Sequence, residues 1–442
     1  MKIALIAMSG VRACDEELLE LGLNLPGFVE RSKTIASLPS LGLLTLAGMT
    51  PEEHRVEYLE VDDIRTMGKL PTGFDLVAVS SFSAQISEAY ELGDRYREAG
   101  IPTVIGGLHA TVMPEEAAAH SDAVVVGEGE PCWLEVLEDA QSGRLKRIYD
   151  SKGEEFDMAE APMPAFDLLD ISKYNRLTVQ TSRGCPHRCE FCASSILLTK
   201  LYKQKPVEKV LAEIDKIRSI WPHPFIEFAD DNSFVNHKYW KELLPQLKDR
   251  HIRWFAETDL SVARDPELLQ LMHESGCAQV LIGLESPVDA GLSGIEMKND
   301  WKLRRFPEYK QAIRTIQSQG ITVNGCFITG LDGQTKAIFK DIYEFVREAE
   351  LFEVQVTYMT PFPGTPLYKR LMDEGRLIEP GNWKKCTLFD INYIPSHMSV
   401  EELRSGFFEL ASSLYSEEFT NWRRDTFKNR LRESHELTRT GA

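Results

Sequence analysis

The chain has 442 residues, and 50 basic against 68 acidic side chains give it a formal charge of −18. Hydrophobic residues make up 43 % and charged residues 27 %, which excludes a disordered chain, a collagen-like repeat and a small disulfide scaffold and leaves room for two or three folded domains. The acidic balance argues against general nucleic-acid binding.

The opening run MKIALIAMSG is too short for a signal peptide. The longest later apolar stretch, 38–49, is interrupted by Pro39, Ser40 and Gly42, so no transmembrane segment is expected and the protein is placed in the cytoplasm. Strand-like runs follow at 2–8, 55–61, 75–81, 102–105 and 123–126, with a helical pattern of Ile86, Tyr90, Leu92 and Tyr96 after the third. This alternation predicts an α/β fold with a doubly wound, Rossmann-like parallel sheet over 1–149. Ligands of such sheets sit at the C-terminal strand ends. Those ends are Ser80-Ser81, Gly106-Gly107-Leu108-His109 and Gly127-Glu128-Gly129-Glu130, where glycine permits close backbone approach. Tight turns alone are the alternative reading.

Residues 150–170, with Pro162 and Pro164, read as a linker. A second series has strands at 177–181, 225–228, 252–255, 279–282, 322–327 and 354–358, with helices at 207–217, 238–247, 266–274, 307–318 and 336–348. Six βα units predict a partial (β/α)6 barrel of the TIM type over 171–360. A mostly helical C-terminal extension spans 361–442, amphipathic over 400–415 and fraying from about residue 429.

Eight cysteines occur, and Cys185, Cys189 and Cys192 fall within eight residues, in the segment TSRGCPHRCEFC that follows the first barrel strand. Scattered single thiols beside one cluster imply a metal site in a reducing compartment. Three thiolates on one loop can hold three irons of a [4Fe–4S] cube and leave the fourth iron open. A zinc site completed by His187 is the competing reading, with a cramped spacing. Three unligated thiols are a further one, disfavoured because such thiols oxidise.

The C-x3-C-x2-C loop after the first strand of a partial barrel resembles the radical S-adenosylmethionine (SAM) superfamily. With the N-terminal sheet, it resembles the cobalamin-binding-domain subgroup, which contains the anaerobic magnesium-protoporphyrin ester cyclase and class B methyltransferases. IGGLHATVMPEEAAAHSDAVVVGEGE, FADDN, IGLES and TPFPGTPLY carry the same resemblance, which covers roughly residues 1 to 415. It implies that Cys185, Cys189 and Cys192 hold the cluster and that SAM chelates the open iron, to be cleaved to a 5′-deoxyadenosyl radical. Asp230, after the second barrel strand, is implied at the SAM amino group; the usual Gly-Gly-Glu is replaced by Ala229-Asp230-Asp231-Asn232, and a helix cap competes for Asp231 or Asn232. Glu257 and Glu285, ending the third and fourth strands, are implied at the ribose or sulfonium, against a salt bridge within the barrel. Phe191 is implied to pack on adenine, and Thr329 and Gly330 to contact it through backbone. Arg183 is a candidate to stabilise cluster charge, and the basic run 200–205 to close over the cluster or meet an anionic substrate, or simply to be a solvated loop.

The D-x-H-x-x-G cobalamin signature is missing; Asp63 to Gly68 has its spacing with Arg65 in place of histidine. The resemblance then places Ser80, Ser81, Gly106, Gly107, Gly127 and Glu128 around the corrin, with His109 at a propionamide or near cobalt. A cofactor-free remnant is the alternative. The implied activity is C-methylation of an unactivated carbon on a small molecule, with a flavodoxin or ferredoxin as electron donor. Non-methylating radical chemistry, or a non-catalytic cobalamin or metal sensor, are the alternatives. Tyr358 and Tyr368 are candidate substrate linings, against core packing.

Overall fold

The computed structural model describes residues 1–20, 38–151, 153, 156–194 and 201–440. Apolar runs at the N-terminus build a parallel sheet covered on both faces, as all-parallel sheets require. Strand β1 (Lys2–Met8) is central, with β2 (Arg55–Val61) on one side and β3 (Leu76–Ser80), β4 (Thr103–Gly106), β5 (Ala123–Val126) and β6 (Ile148–Asp150) in order on the other. Successive side chains point to opposite faces. Ile3, Leu5, Leu76, Val104 and Val125 pack with Leu43, Cys132 and Trp133 of the helices Leu41–Met49 and Glu130–Gln141. Ile6, Val77, Val79, Ile105 and Val124 pack with the helix Ile86–Glu98. The sixth strand lies where the sequence reads as the start of a linker, because Ile-Tyr-Asp carries too short an apolar signal to stand out.

The second sheet is also parallel, in the order β7 (Leu177–Val179), β10 (Phe225–Phe228), β11 (Arg253–Thr258), β12 (Cys277–Glu285), β13 (Thr322–Thr329), β14 (Glu353–Tyr358). Between β7 and β10, β8 (Ser182–Arg183) and β9 (Lys203–Gln204) form a small antiparallel ribbon. Strands β7 and β14 are the two edges, so the barrel is incomplete. The helices Val207–Ile220, His237–Lys248, Pro266–Glu274, Tyr309–Ser318 and Ile338–Ala349 return along its outside. Asn236 and Asp265 cap two of them by accepting backbone N–H groups. The outward residues Phe228, Trp240, Trp254 and Phe234 interlock as an aromatic cluster.

The C-terminal segment adds the helices Pro366–Asp373, Val400–Leu414 and Glu417–Thr440. Ser399 and Glu402 form a capping box at the second. The third continues unbroken through the region expected to fray, with Phe427 packed on Phe352 and Arg430 paired with Glu350. Among the described residues no helix is long and apolar enough to cross a membrane.

Several contacts seat the N-terminal sheet on the rest of the chain. Tyr174 donates to Glu60 at 2.6 Å and the Ala165 amide to the Leu44 carbonyl at 2.9 Å. On the far side the Trp383 indole donates to Glu116 at 3.0 Å, and Arg404 pairs with Asp15 at 2.7 Å.

Candidate active site

The cysteine loop begins at the C-terminal end of β7, the face on which βα barrels carry their chemistry. Its entry is held by two consecutive aspartates after β10. Asp230 is buried and accepts hydrogen bonds from the Thr181 amide (2.7 Å), the Thr181 hydroxyl (2.6 Å) and the Ser182 amide (2.9 Å). Burial raises its carboxyl to about 6, and these donors oppose the shift. Asp231 accepts from the Gly184 amide at 2.7 Å and from the Ser194 hydroxyl. Gly184 sits at φ 91°, where a Cβ would come within 2.9 Å of the Leu201 carbonyl, so only glycine makes this turn. The hydrogen bonds from Thr181 and Ser182 make Asp230 an anchor of the cysteine loop. Neither Asp231 nor Asn232 caps the following α-helix; Asn236 does.

Further along, the loop is pinned by backbone pairing with the segment after β12. Glu190 N donates to Ile295 O at 2.9 Å and Met297 N to Arg188 O at 3.1 Å. Burial pushes the Cys185 thiol up to about 11 and the Cys189 thiol higher still, and each feels the nearby Cys192, with Lys302 opposing. His187 is already engaged. Its Nε2 lies 2.7 Å from Asp259, its Nδ1 3.6 Å from Glu296, and its ring packs on Trp301. Among the described residues no three His, Cys, Asp or Glu side chains converge on a point that would hold a single metal ion. The His187 ring is thus committed to Asp259 and Glu296 and not turned to the cysteines.

The barrel mouth separates the two glutamates. Glu285, at φ 61°, is paired with the buried Lys302 at 2.8 Å, and Lys302 also donates to the Gly283 carbonyl at 2.6 Å. It is thus the internal salt bridge that competed with the SAM contact. Glu257 projects from β11 into the lumen, open to solvent but walled by the barrel, and it makes no hydrogen bond among the described residues. Desolvation by the surrounding barrel wall, then the charges of Glu227 and Asp231, raise its carboxyl to about 8, while Arg176 opposes. Phe191 is half-buried against the barrel core. Thr329 donates its hydroxyl to Thr357 O at 3.1 Å. The Gly330 amide is given to Gln334 at 2.8 Å and its carbonyl accepts from Tyr393 at 3.1 Å. The backbone at 329–330 is thus committed to the protein, and Gln334 is a buried residue that sequence reasoning did not single out.

Between the sheet and the barrel mouth lies a cavity of about 320 Å³. Ser80, Gly106, Gly107, Gly127 and Glu128 line it, with Leu43, Leu46 and Trp133 as an apolar back wall and Gln180, Arg183 and Asp231 from the barrel side. In the sequence this back wall shows only as part of the apolar stretch 38–49, without a predicted helix. Ser81 and His109 do not line the cavity. The Ser81 hydroxyl turns to the Phe82 carbonyl at 2.9 Å. His109 is fully buried on the far side, its Nδ1 3.0 Å from the Ser83 hydroxyl and its ring packed between Tyr90 and Trp383. Burial holds its pKa below the ordinary histidine value. Tyr358 is core, packed on Phe407, and Tyr368 packs against Trp383.

Arg183 does not lean on the cysteines. It pairs with Glu128 (2.7 Å) and Glu130 (2.5 Å) of the N-terminal sheet. Lys203 pairs with Glu128 at 2.7 Å and Lys205 with the buried Glu213 at 2.6 Å. The basic run is therefore turned inward; Lys200 lies outside the described residues.

Residues 179–346 match the radical SAM superfamily, 33–137 the B12 binding domain and 365–440 a domain of unknown function. The chain thus carries a radical SAM domain together with a B12-binding domain. It is 28 % identical to the bacteriochlorophyllide d C-12(1)-methyltransferase of Chlorobaculum tepidum, over 86 % of this chain and 83 % of that protein. It is 26 % identical to the anaerobic magnesium-protoporphyrin IX monomethyl ester cyclase of Cereibacter sphaeroides, over 71 % and 56 %. Its fold matches the radical SAM methyltransferase TsrM of Kitasatospora setae, described with cobalamin and a [4Fe–4S] cluster bound, at a TM-score of 0.67, 15 % identity and 99 % of both chains.

The cofactors of this radical SAM enzyme are a [4Fe–4S] cluster, SAM and cobalamin, and the residues present suit all three. Three thiols on one loop, with the His187 imidazole engaged elsewhere, offer an all-sulfur donor set that leaves a cube one iron short of ligands. Glu257, without a hydrogen-bond partner among the described residues, offers a counter-charge for a sulfonium and amine once it gives up its proton. Arg183 and Lys203 offset Glu128 and Glu130 beside the cavity, and its glycine-rich mouth and apolar floor suit a large amide-bearing ligand.

Proposed function

We propose that this radical SAM enzyme methylates a carbon of a small-molecule substrate with the help of cobalamin. One observation carries the reading. The cavity at the C-terminal ends of β3, β4 and β5 shares Gln180, Arg183 and Asp231 with the entry to the cysteine loop. A corrin in that cavity adjoins the source of the radical, and proximity of this kind is the main lever an enzyme has over a reactive intermediate. The methyltransferase relative supports the methylation; the cyclase relative favours, as a second reading, non-methylating ring chemistry at the same site.

When bound, the cluster and SAM supply a hydrogen-abstracting radical, and cobalamin supplies a transferable methyl group. Cys185, Cys189 and Cys192 hold the cluster, and Asp230 and Asp231 hold the loop that presents them. Glu257 balances the positive charge of SAM in the lumen, with Phe191 beside the cluster as an apolar wall. Ser80, Gly106, Gly107, Gly127 and Glu128 bound the corrin. The chain divides into a cobalamin unit ending with β6, a radical-forming barrel, and a helical extension that closes it. A flavodoxin or ferredoxin in the cytoplasm supplies the electron.

The test is anaerobic reconstitution with iron, sulfide and hydroxocobalamin, desalting, then addition of SAM and dithionite. Retained cobalamin, a cluster spectrum and 5′-deoxyadenosine are expected, with cluster and nucleoside lost in the Cys185, Cys189, Cys192→Ala variant. Cluster and nucleoside without retained cobalamin would sink the methylation reading. Zinc in place of iron, with no nucleoside, would sink the radical one.

A further inference from the structure

We propose that Arg183 is a positioning residue that fixes the corrin cavity against the cluster loop. This inference rests on the reading that both cofactors bind. Arg183 stands two residues before Cys185, in the ribbon that opens the cysteine loop. Its guanidinium joins two parts of the molecule. Toward the barrel, Nε donates to Gln180 Oε1 at 2.9 Å. Toward the sheet, Nη1 reaches Glu128 at 2.7 Å and Nη2 reaches Glu130 at 2.5 Å.

Both carboxylates follow β5, Glu128 in the loop and Glu130 at the start of the helix Glu130–Gln141, and both line the cavity. Glu128 is held at its other oxygen as well, by Lys203 at 2.7 Å and by the Phe156 amide at 3.0 Å. Lys203 is the residue opposite Arg183 in the ribbon. The side chains are enclosed, with 17 % of Arg183, 9 % of Glu128 and 7 % of Glu130 exposed. A planar guanidinium with donors in a rigid fork sets distance and angle where a lysine sets only distance. The two cations and two carboxylates cancel, so the group needs no ligand charge to complete it, and its function is geometric.

The sheet is held on the barrel elsewhere by Tyr174 to Glu60, and on the C-terminal segment by Trp383 to Glu116 and Arg404 to Asp15. Losing Arg183 therefore frees one edge of the seam and leaves the domains docked. The two cofactor loops then lose their common anchor.

The experiment uses the full-length protein reconstituted with cluster and hydroxocobalamin and reduced with dithionite. Electron paramagnetic resonance reads the magnetic coupling between cob(II)alamin and the reduced cluster, which depends on their separation and needs no substrate. The wild type is expected to show resolved coupling. Arg183→Met is expected to load both cofactors and lose that resolution, with Arg183→Lys in between. Glu130→Gln removes one contact without touching the cysteine loop, and the same broadening is expected; it decides the matter if Arg183→Met takes up no cluster. Wild-type coupling in a fully loaded Arg183→Met or Glu130→Gln protein overturns the proposal, as does a doubly loaded wild type without coupling. A wild type that loads the cluster but retains no cobalamin overturns the functional reading first, and the positioning role with it.

Discussion

An acid placed in a barrel lumen with no donor to meet it resists ionisation, and Glu257 is in that position. Its carboxyl, though open to the lumen, is raised from 4.5 to about 8, first by the desolvating barrel wall around it and then by Glu227 and Asp231. The folded, cofactor-free protein thus keeps a proton that the unfolded chain loses near 4.5. Stability from this group is fully present below that pH and is lost as pH rises through about 8. Glu257→Gln should flatten the fall in melting temperature across this window and melt higher than wild type at its alkaline end. Asp230, raised to about 6, acts in the same direction lower down, so the difference between variant and wild type is the quantity to read. The same proton opposes a cation. SAM affinity should strengthen as pH rises toward 8, with proton release seen as a buffer-dependent binding heat, and both should vanish in Glu257→Gln. A variant whose binding heat still depends on the buffer would assign the proton elsewhere.

At the scale of elements, the turn after β13 depends on one contact across the molecule. Gly330 has φ 87°, and a Cβ there would lie 1.8 Å from the Tyr393 hydroxyl. Gly330→Ala must displace Tyr393 or the turn, at a cost of about 2–4 kcal/mol in denaturant unfolding. Tyr393→Phe loses only the hydrogen bonds to Thr329 and Gly330 and should cost about 1 kcal/mol. A double variant that recovers most of the loss would locate the strain at that pair. Contacts of this reach mark the border of what the sequence reveals. Strands such as Lys2–Met8 and Ala123–Val126 were legible because continuous apolar runs survive without knowledge of partners, and the cluster cysteines because their spacing is local. Glu285 was correctly placed at a strand end, but its partner Lys302 lies beyond an intervening loop that has no periodic signal. His109 sits on a five-residue helix, too short for a pattern to show which side faces the cavity. Packing on Trp383 decides that, from the other end of the chain. Arg183 was read as a neighbour of the cysteines because sequence adjacency hides the sheet residues that claim its guanidinium.

For the whole molecule, an open barrel must protect its edge strands, since unpaired strand edges invite pairing with other chains. The C-terminal segment does this at β14. Tyr415 donates to the Val354 carbonyl at 3.1 Å, and Phe407 packs on Tyr358 with ring centroids 4.1 Å apart. Arg423 is fully buried, reaching Glu353 at 3.4 Å and the Leu414 carbonyl at 3.2 Å. The same segment reaches back to the sheet through Trp383 and Arg404, so the extension joins both halves. Removing one partner of a buried ion pair leaves an uncompensated charge, and Arg423→Ala should cost about 3 kcal/mol. Arg423→Met keeps the aliphatic packing and should recover part of it. If the extension is integral, urea unfolding of Arg423→Ala keeps the wild-type slope and shifts only the midpoint, because the exposed area is unchanged. A shallower slope, or a separate early transition with the N-terminal sheet still folded, would mean that the helix Glu417–Thr440 detaches by itself and that the barrel edge is guarded by something else.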